Sequence, residues 1–283
     1  MTGLTLNRRP DGVRPVRVDC HRQFAYGGPV LSAHEPVTLL SDESFIGRRY
    51  VAFGAIILPT RLLPQADALL QSYCQRRGLG AREMAFKKCS AGEVDRYVGY
   101  VDEFWSLRER GIPLDFRAMV IDTRRNPLKA PQYGCDTDEA GFYRMYHQFI
   151  TCSVEKVAPG ATHYELIVAR TDDSYAHRSE ILGKTVSGAL RQRLGSRFGV
   201  CGLTRDDPAK SRTHQLVDVM LGAVTHAYNP CGSTHKLAIR RHIEERAGRS
   251  LDSDFLPSER PVNVWHFASR GRARWASGSQ GVA

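Results

Sequence analysis

The hydrophobic and polar positions of this chain switch between a period of two and a period near 3.6 residues, so strands alternate with helices. Residues 38–43 (TLLSDE) read as a strand, a polar turn around Gly47-Arg48-Arg49 follows, and residues 50–58 (YVAFGAIIL) read as a second strand, the two making a hairpin. Residues 62–77 are amphipathic and predict a helix that stops at Gly78, and residues 83–88 fit a short third strand. A long helix is predicted over 91–110, stopped by Gly111-Ile112-Pro113. Then come a strand at 114–122, a helix at 138–157, a strand at 164–169, a helix at 179–194 and a last strand at 197–203. Helices over 213–228 and 236–247 and a closing apolar segment at 262–267 (VNVWHF) complete the pattern. An antiparallel start followed by alternating strands and helices predicts an α/β protein, a mixed sheet with helices on both faces.

The two ends break the pattern. Residues 1–36 are rich in Arg and Pro and read as an extended arm; Arg8, Arg9, Arg14, Arg17 and Arg22 outweigh Asp11 and Asp19 over its first part. Residues 268–283 carry Arg270, Arg272 and Arg274, no acid and many Gly and Ser, which predicts a basic, mobile tail. The folded domain is therefore expected over 37–267. Hydrophobic residues at 42% and charged residues at 25% exclude global disorder. Forty Lys and Arg against 30 Asp and Glu give a net charge of +10, which favours a polyanionic partner, nucleic acid ahead of an anionic membrane. Arg outnumbers Lys 33 to 7; guanidinium forks suit phosphate, and a GC-rich genome would produce the same bias. The longest apolar run, residues 51–59, is too short to span a bilayer. Pro10-Asp11-Gly12 stands where a secretory leader needs its apolar core. Seven scattered Cys without a CxxC pair match neither a disulfide framework nor a zinc ligand set, and point to the cytoplasm.

The candidate chemistry lies in carboxylates. Asp42 and Glu43 end the first strand, where neighbouring side chains point to opposite faces; a solvated hairpin end is the plainer reading of the same acids. The 213–228 helix is apolar nearly all round, yet Gln215, Asp218, Gly222 and Thr225 follow i, i+3, i+7, i+10 and make one polar stripe. A buried carboxylate there needs a metal or an Arg, the competing reading being a structural Asp–Arg pair with Gln215 bonded in the core. Gly222 is tolerable inside a helix if another group comes close to it. Asp172-Asp173 end the 164–169 strand region and Asp122 ends the 114–122 strand, where ligands gather in α/β sheets; each also fits an ordinary loop or cap acid. Acids converging from distant parts of the chain are what two-metal phosphodiester chemistry requires.

LSDES followed by YVAFGAIIL, with QLVD near the C-terminus, resembles the bacterial domain-of-unknown-function family 3800, whose signatures are a DE motif and a QxxD motif. The likeness covers about residues 38–267. It implies a ribonuclease-H-like fold and metal-dependent nuclease chemistry in mobile elements or phage defence. The DE motif falls on Asp42 and Glu43, and the QxxD motif on Gln215 and Asp218. Glu83-Met-Ala-Phe86-Lys87-Lys88 fits the family's Glu, Lys and aromatic pattern only loosely, leaving the roles of Glu83 and Lys87 open, and the turn after DES is longer than usual in the family.

The leading expectation is a Mg²⁺- or Mn²⁺-dependent nuclease. Asp42, Asp172 (preferred to Asp122) and Asp218 are its ligands, Glu43 a ligand or base, and Gln215 orients water or phosphate. His214 or His226 could relay protons, and Arg48, Arg49, Arg124 and Arg125 would grip the backbone. The alternatives are a non-catalytic nucleic-acid-binding subunit of a defence or mobile-element complex and a small-molecule phosphohydrolase. We predict that deleting residues 268–283 weakens nucleic-acid affinity and lowers its salt dependence while leaving intrinsic cleavage in place. Equal affinity and equal salt slope with and without the tail would make it a spectator.

Overall fold

The computed structural model describes residues 35–44, 49–131, 135–158, 161, 163–169, 176–194, 199–206, 211–255 and 259–267. Most of the predicted arm and the whole predicted tail lie outside the described residues, as do Arg48 and Asp172.

Six strands form one sheet: β1 (Val37–Ser44), β2 (Tyr50–Pro59), β3 (Asp115–Asp122), β4 (His163–Ala169), β5 (Gly199–Asp206) and β6 (Val262–His266). Their order is β5-β4-β1-β2-β3-β6. β1, β2 and β3 are joined antiparallel, β4 and β5 lie parallel on the other side of β1, and β6 pairs parallel with β3. An antiparallel meander flanked by parallel strands against its first member is a ribonuclease-H-like sheet, with β6 as an added edge. The segment at 197–203 is thus not the last strand: β5 begins at Gly199, and the closing apolar segment supplies β6.

Strand alternation sorts the core into two halves. Leu40, Ala52, Ile56 and Leu58 face one side, packing with helices α1 (Leu63–Arg76), α2 (Val94–Glu109), α5 (Arg212–Tyr228) and α6 (Thr234–Ala247). Val37, Leu39, Phe53 and Ile57 face the other, packing with α3 (Asp138–Val157) and α4 (Ala176–Leu194). Helix α5 lies closest to the sheet. A Cβ on Gly54 of β2 would stand 3.0–3.3 Å from the Leu221 side chain, tighter than ordinary contact, so the glycine eases the close approach of the helix. Gly54 is the register partner of Asp42, which puts Asp42 on the face beneath α5.

Residues 83–88 do not form the expected strand. Ala85 is extended, and Phe86–Lys88 turn as a single 3-10 helix. The N–H groups of Met84 and Phe86 are taken by side chains of α5 rather than by a neighbouring strand. No described helix is long and apolar enough to cross a membrane.

Phe53 is fully buried and stacks on Tyr146 at 4.9 Å, with Phe142 and Phe149 also against it. We predict that Phe53→Ala costs about 3–5 kcal/mol, read by urea unfolding with an unchanged m value. A loss below about 1 kcal/mol would mean that this aromatic group is not a rigid part of the core.

Candidate functional site

The site forms where β1 ends and α5 crosses it. Helix α5 is capped by Ser211, whose Oγ accepts from the His214 N–H, and by Asp67 of α1, which accepts from the Thr213 N–H at 2.6 Å. Behind the cap, the buried Arg212 guanidinium donates to Gln71 Oε1 and to the carbonyls of Gly80 and Arg82 at 2.6–2.7 Å. It also donates to Gln215 Oε1 at 2.7 Å. Cap and guanidinium fix the start of α5 against α1 and the loop that leads to residue 84.

The polar stripe grips that loop. Gln215 Oε1 accepts from the Met84 N–H at 2.9 Å and Asp218 Oδ1 from the Phe86 N–H at 2.7 Å. One turn further, a Cβ on Gly222 would stand 2.3–2.6 Å from Phe86 ring and Cβ atoms, so the glycine makes the notch in which Phe86 sits. The group expected to approach Gly222 is therefore an aromatic side chain of the chain itself. At the stripe's end the Thr225 hydroxyl donates back to the Leu221 and Gly222 carbonyls, and the Ser44 hydroxyl donates to Thr225 Oγ1 at 3.4 Å.

Of the residues from Ser211 to His226, Asp218 alone keeps partial exposure; the rest are buried. Asp42, Glu43 and Ser44 are likewise half-buried, so solvent reaches the acids from the end of the sheet. Burial pushes Asp42 well above the usual carboxylate range, and the charges of Glu43 and Asp218 push it the same way. Burial raises Asp218 as well, and raises Glu43 to about 7. The cation acting on both Asp42 and Asp218 is Lys87, which holds each down. Strand alternation directs Asp42 towards α5 and Glu43 towards α3, where its charge acts on the buried Tyr146. Tyr146 in turn donates to Ser41 Oγ at 2.8 Å, and Ser41 donates to the Gly54 carbonyl, which pins the strand just before the acids.

Asp42, Asp218 and Lys87 are thus brought together, with Glu43 on the opposite face of the same strand end. Among the described residues no group of three or more His, Cys, Asp or Glu side chains is arranged to hold a metal. Gln215 uses its oxygen within the protein, on Met84 and Arg212. His214 and His226 both lie against backbone carbonyls, those of Ser41 and Cys231, at 3.2 Å. Glu83 pairs with Lys88.

Asp122 is engaged elsewhere. Arg49 binds it through two hydrogen bonds of 3.0 and 3.4 Å, the Arg124 N–H donates to it, and Arg125 stands 3.7 Å away. The Arg49 hydrogen bond is the main reason its carboxyl stays below the usual range. Arg49 and Arg125 therefore face one acid with their guanidinium groups and Arg124 with its backbone N–H, and Arg49 also lies over the Tyr50 ring at 4.7 Å. Asp172 lies outside the described residues. Ser41 is opposite Val168 in the parallel β1–β4 pair, so β4 leaves the sheet at the same end as Asp42.

No family model matches the chain, and no curated protein does. Among solved structures the chain is similar to one described as the PCNA:RNase HII complex from Archaeoglobus fulgidus. The identity is 10%, the TM-score 0.37, and the match covers 80% of this chain and 92% of that one. The fold assignment stands on strand order and direction, not on that likeness.

The raised acids make a pH prediction. Asp42, Glu43 and Asp218 bind protons more tightly folded than unfolded, so their contribution is complete below the ordinary carboxylate range and is lost as pH rises through each raised value, about 7 for Glu43. Partly buried His147 and buried His226 have pKa values lowered by desolvation and act in the opposite sense, stabilising the fold as they deprotonate. Comparing the protein with Asp42→Asn isolates the acid. We predict that metal-free Asp42→Asn melts above the wild type at alkaline pH, where the native carboxyl is charged, with the gap closing as pH falls. A gap independent of pH would show that Asp42 does not titrate in this range.

Proposed function

We propose that this protein is a divalent-metal-dependent nuclease, as its resemblance to family 3800 implies, with Asp42 and Asp218 as the carboxylates that hold the metal. One observation supports the reading: Asp42 ends β1 beneath α5 in a ribonuclease-H-like sheet, the charge of Asp218 on that helix acts on it, and burial raises both acids. Carboxylates in that state call for a cation between them. Nucleases of this fold generally work with Mg²⁺ or Mn²⁺, and hard oxygen donors suit either ion.

The residues fit such an ion. Mg²⁺ is commonly held by one or two carboxylates with water and substrate phosphate completing the shell, so a third protein ligand is not required. Asp172 is our candidate for one, on the continuation of β4. When bound, the metal lowers the pKa of water and stabilises the leaving oxygen. The chain's own part is to fix the donors. The Glu43 N–H donates to Asp42 Oδ1 at 2.9 Å, and the Phe86 N–H orients Asp218. Glu43, with a pKa near 7, can accept or release a proton at neutral pH. Arg49, Arg124 and Arg125 offer phosphate contacts at the same sheet end.

Nucleic-acid binding without catalysis is the second reading. It is favoured by the backbone hydrogen bonds of Gln215 and Asp218, which account for the polar stripe without any ligand.

Asp218→Asn separates the two. Its amide oxygen can still accept from Phe86, so the fold should persist by circular dichroism. We predict that Mn²⁺-dependent cleavage of nucleic acid falls by at least about a hundredfold, and that Mn²⁺ raises the melting temperature of the wild type but not of the variant. Near wild-type cleavage would remove Asp218 from the site. No cleavage by the wild type, with no Mn²⁺ shift, would leave the binding reading.

A further inference from the structure

The segment from Met84 to Lys88 is held more firmly than a surface loop requires. Its two hydrogen bonds to α5 use alternate backbone N–H groups, Met84 to Gln215 and Phe86 to Asp218, at 2.9 and 2.7 Å. The Phe86 ring fills the notch at Gly222 and is overlaid by the Lys236 ammonium of α6, 5.5 Å from its centre. Tyr97 of α2 donates to the Ala85 carbonyl at 2.9 Å. The segment is thus tied to α2, α5 and α6 at successive residues, and immediately after the last tie the chain turns and presents Lys87 and Lys88 to solvent.

The two lysines differ. Lys88 forms an ion pair with Glu83, so much of its charge is matched locally. Lys87 follows directly after the residue whose N–H binds Asp218, it is exposed, and its charge acts on both Asp42 and Asp218. An acid pair repels the phosphodiester that a nuclease must bring to it, so a cation fixed beside the acids and open to solvent has a use there. We propose that Lys87 is a positioning residue that holds a backbone phosphate of the nucleic acid next to the Asp42–Asp218 pair, with the clamped 84–86 segment fixing where it stands. Lys236, behind Phe86, adds charge to the same side of the site.

This rests on the nucleic-acid reading of the site, but it is tested by binding rather than by cleavage. The full chain carrying Asp218→Asn, without divalent metal, is titrated with labelled single-stranded and duplex DNA and RNA oligonucleotides across a range of salt. Adding Lys87→Met should weaken binding on the order of tenfold at low salt, the size of one charge-assisted hydrogen bond. It should also lower the slope of log affinity against log salt by about 0.7–0.9, the change that follows when one phosphate is no longer neutralised by the protein. Lys87→Arg should retain both affinity and slope. Lys88→Met, removing a lysine already paired with Glu83, should change them less.

Three results would overturn the proposal. If Lys87→Met binds as its parent does, with the same salt slope, Lys87 holds no phosphate and serves only as an internal counter-ion to the acids. Equal losses for Lys87→Met and Lys88→Met would show a diffuse charge effect with no positioned phosphate. If the parent binds no oligonucleotide even at low salt, the proposal falls together with the nucleic-acid reading itself, whereas the first two results leave that reading standing.

Discussion

Helix α5 is packed into the core over almost its whole length, yet it carries hydrogen-bonding side chains along one stripe, and each must find a partner there. An unsatisfied buried polar group costs on the order of 1–3 kcal/mol, so the stripe dictates what lies against it. The Met84–Phe86 backbone supplies the answer. Extended chain presents N–H groups at alternate residues, and two of them meet acceptors at i and i+3 of the helix. This pairing explains why 83–88 has the composition of a strand without being one. It also explains why a glycine sits in the middle of α5, since the ring that follows the second hydrogen bond needs the room.

The same arrangement sets the electrostatics. Gln215 is buried beside Arg212, whose guanidinium is satisfied by amide and carbonyl oxygens and orients the stripe's first acceptor. Asp218 is the point at which the stripe reaches water. It sits across from Asp42, which β1 directs to the same face because Gly54, its register partner, lies under Leu221. A Cβ at 54 would crowd the Leu221 side chain where α5 crosses β2.

Much of this was legible in the chain. Hydrophobic period found five of the six strands and the six long helices, and marked 262–267, which forms β6, only as an apolar segment. The stripe was legible as polar letters at helical spacing on an apolar helix, and the place of Asp42 at the end of a central strand as acids following TLL. What the stripe binds was not legible: hydrogen bonds from backbone N–H groups more than 125 residues away leave no mark on the identity of the donors. The strand reading of 83–88 failed for the same reason, since period two reports extended chain but not its partner. Lys87 carried only a loose family pattern, because its significance lies in its neighbours in space. Asp122 and the central candidate Asp172 look alike in sequence as acids after apolar runs. Asp122 is held by Arg49, and that pairing depends on β2 starting opposite the end of β3.

The direction of the strands concentrates the chemistry at one end of the sheet. β1, β3, β4, β5 and β6 all run the same way and β2 runs against them, so the C-terminal ends of five strands and the start of β2 share a rim. Asp42 and Glu43 lie at its centre, and Asp122 lies two strands away, matched by Arg49, Arg124 and Arg125. At that corner the guanidinium groups of Arg49 and Arg125 face one acid, while among the described residues Lys87 and Lys88 are the cations acting on the central acids. A polyanion approaching this rim is attracted by the corner and repelled by the centre until the central acids are neutralised. Protons achieve that at low pH, and a divalent ion would achieve it at neutral pH while leaving positive charge over for phosphate. Metal and nucleic acid should therefore bind with positive coupling, each strengthening the other's hold by the same factor.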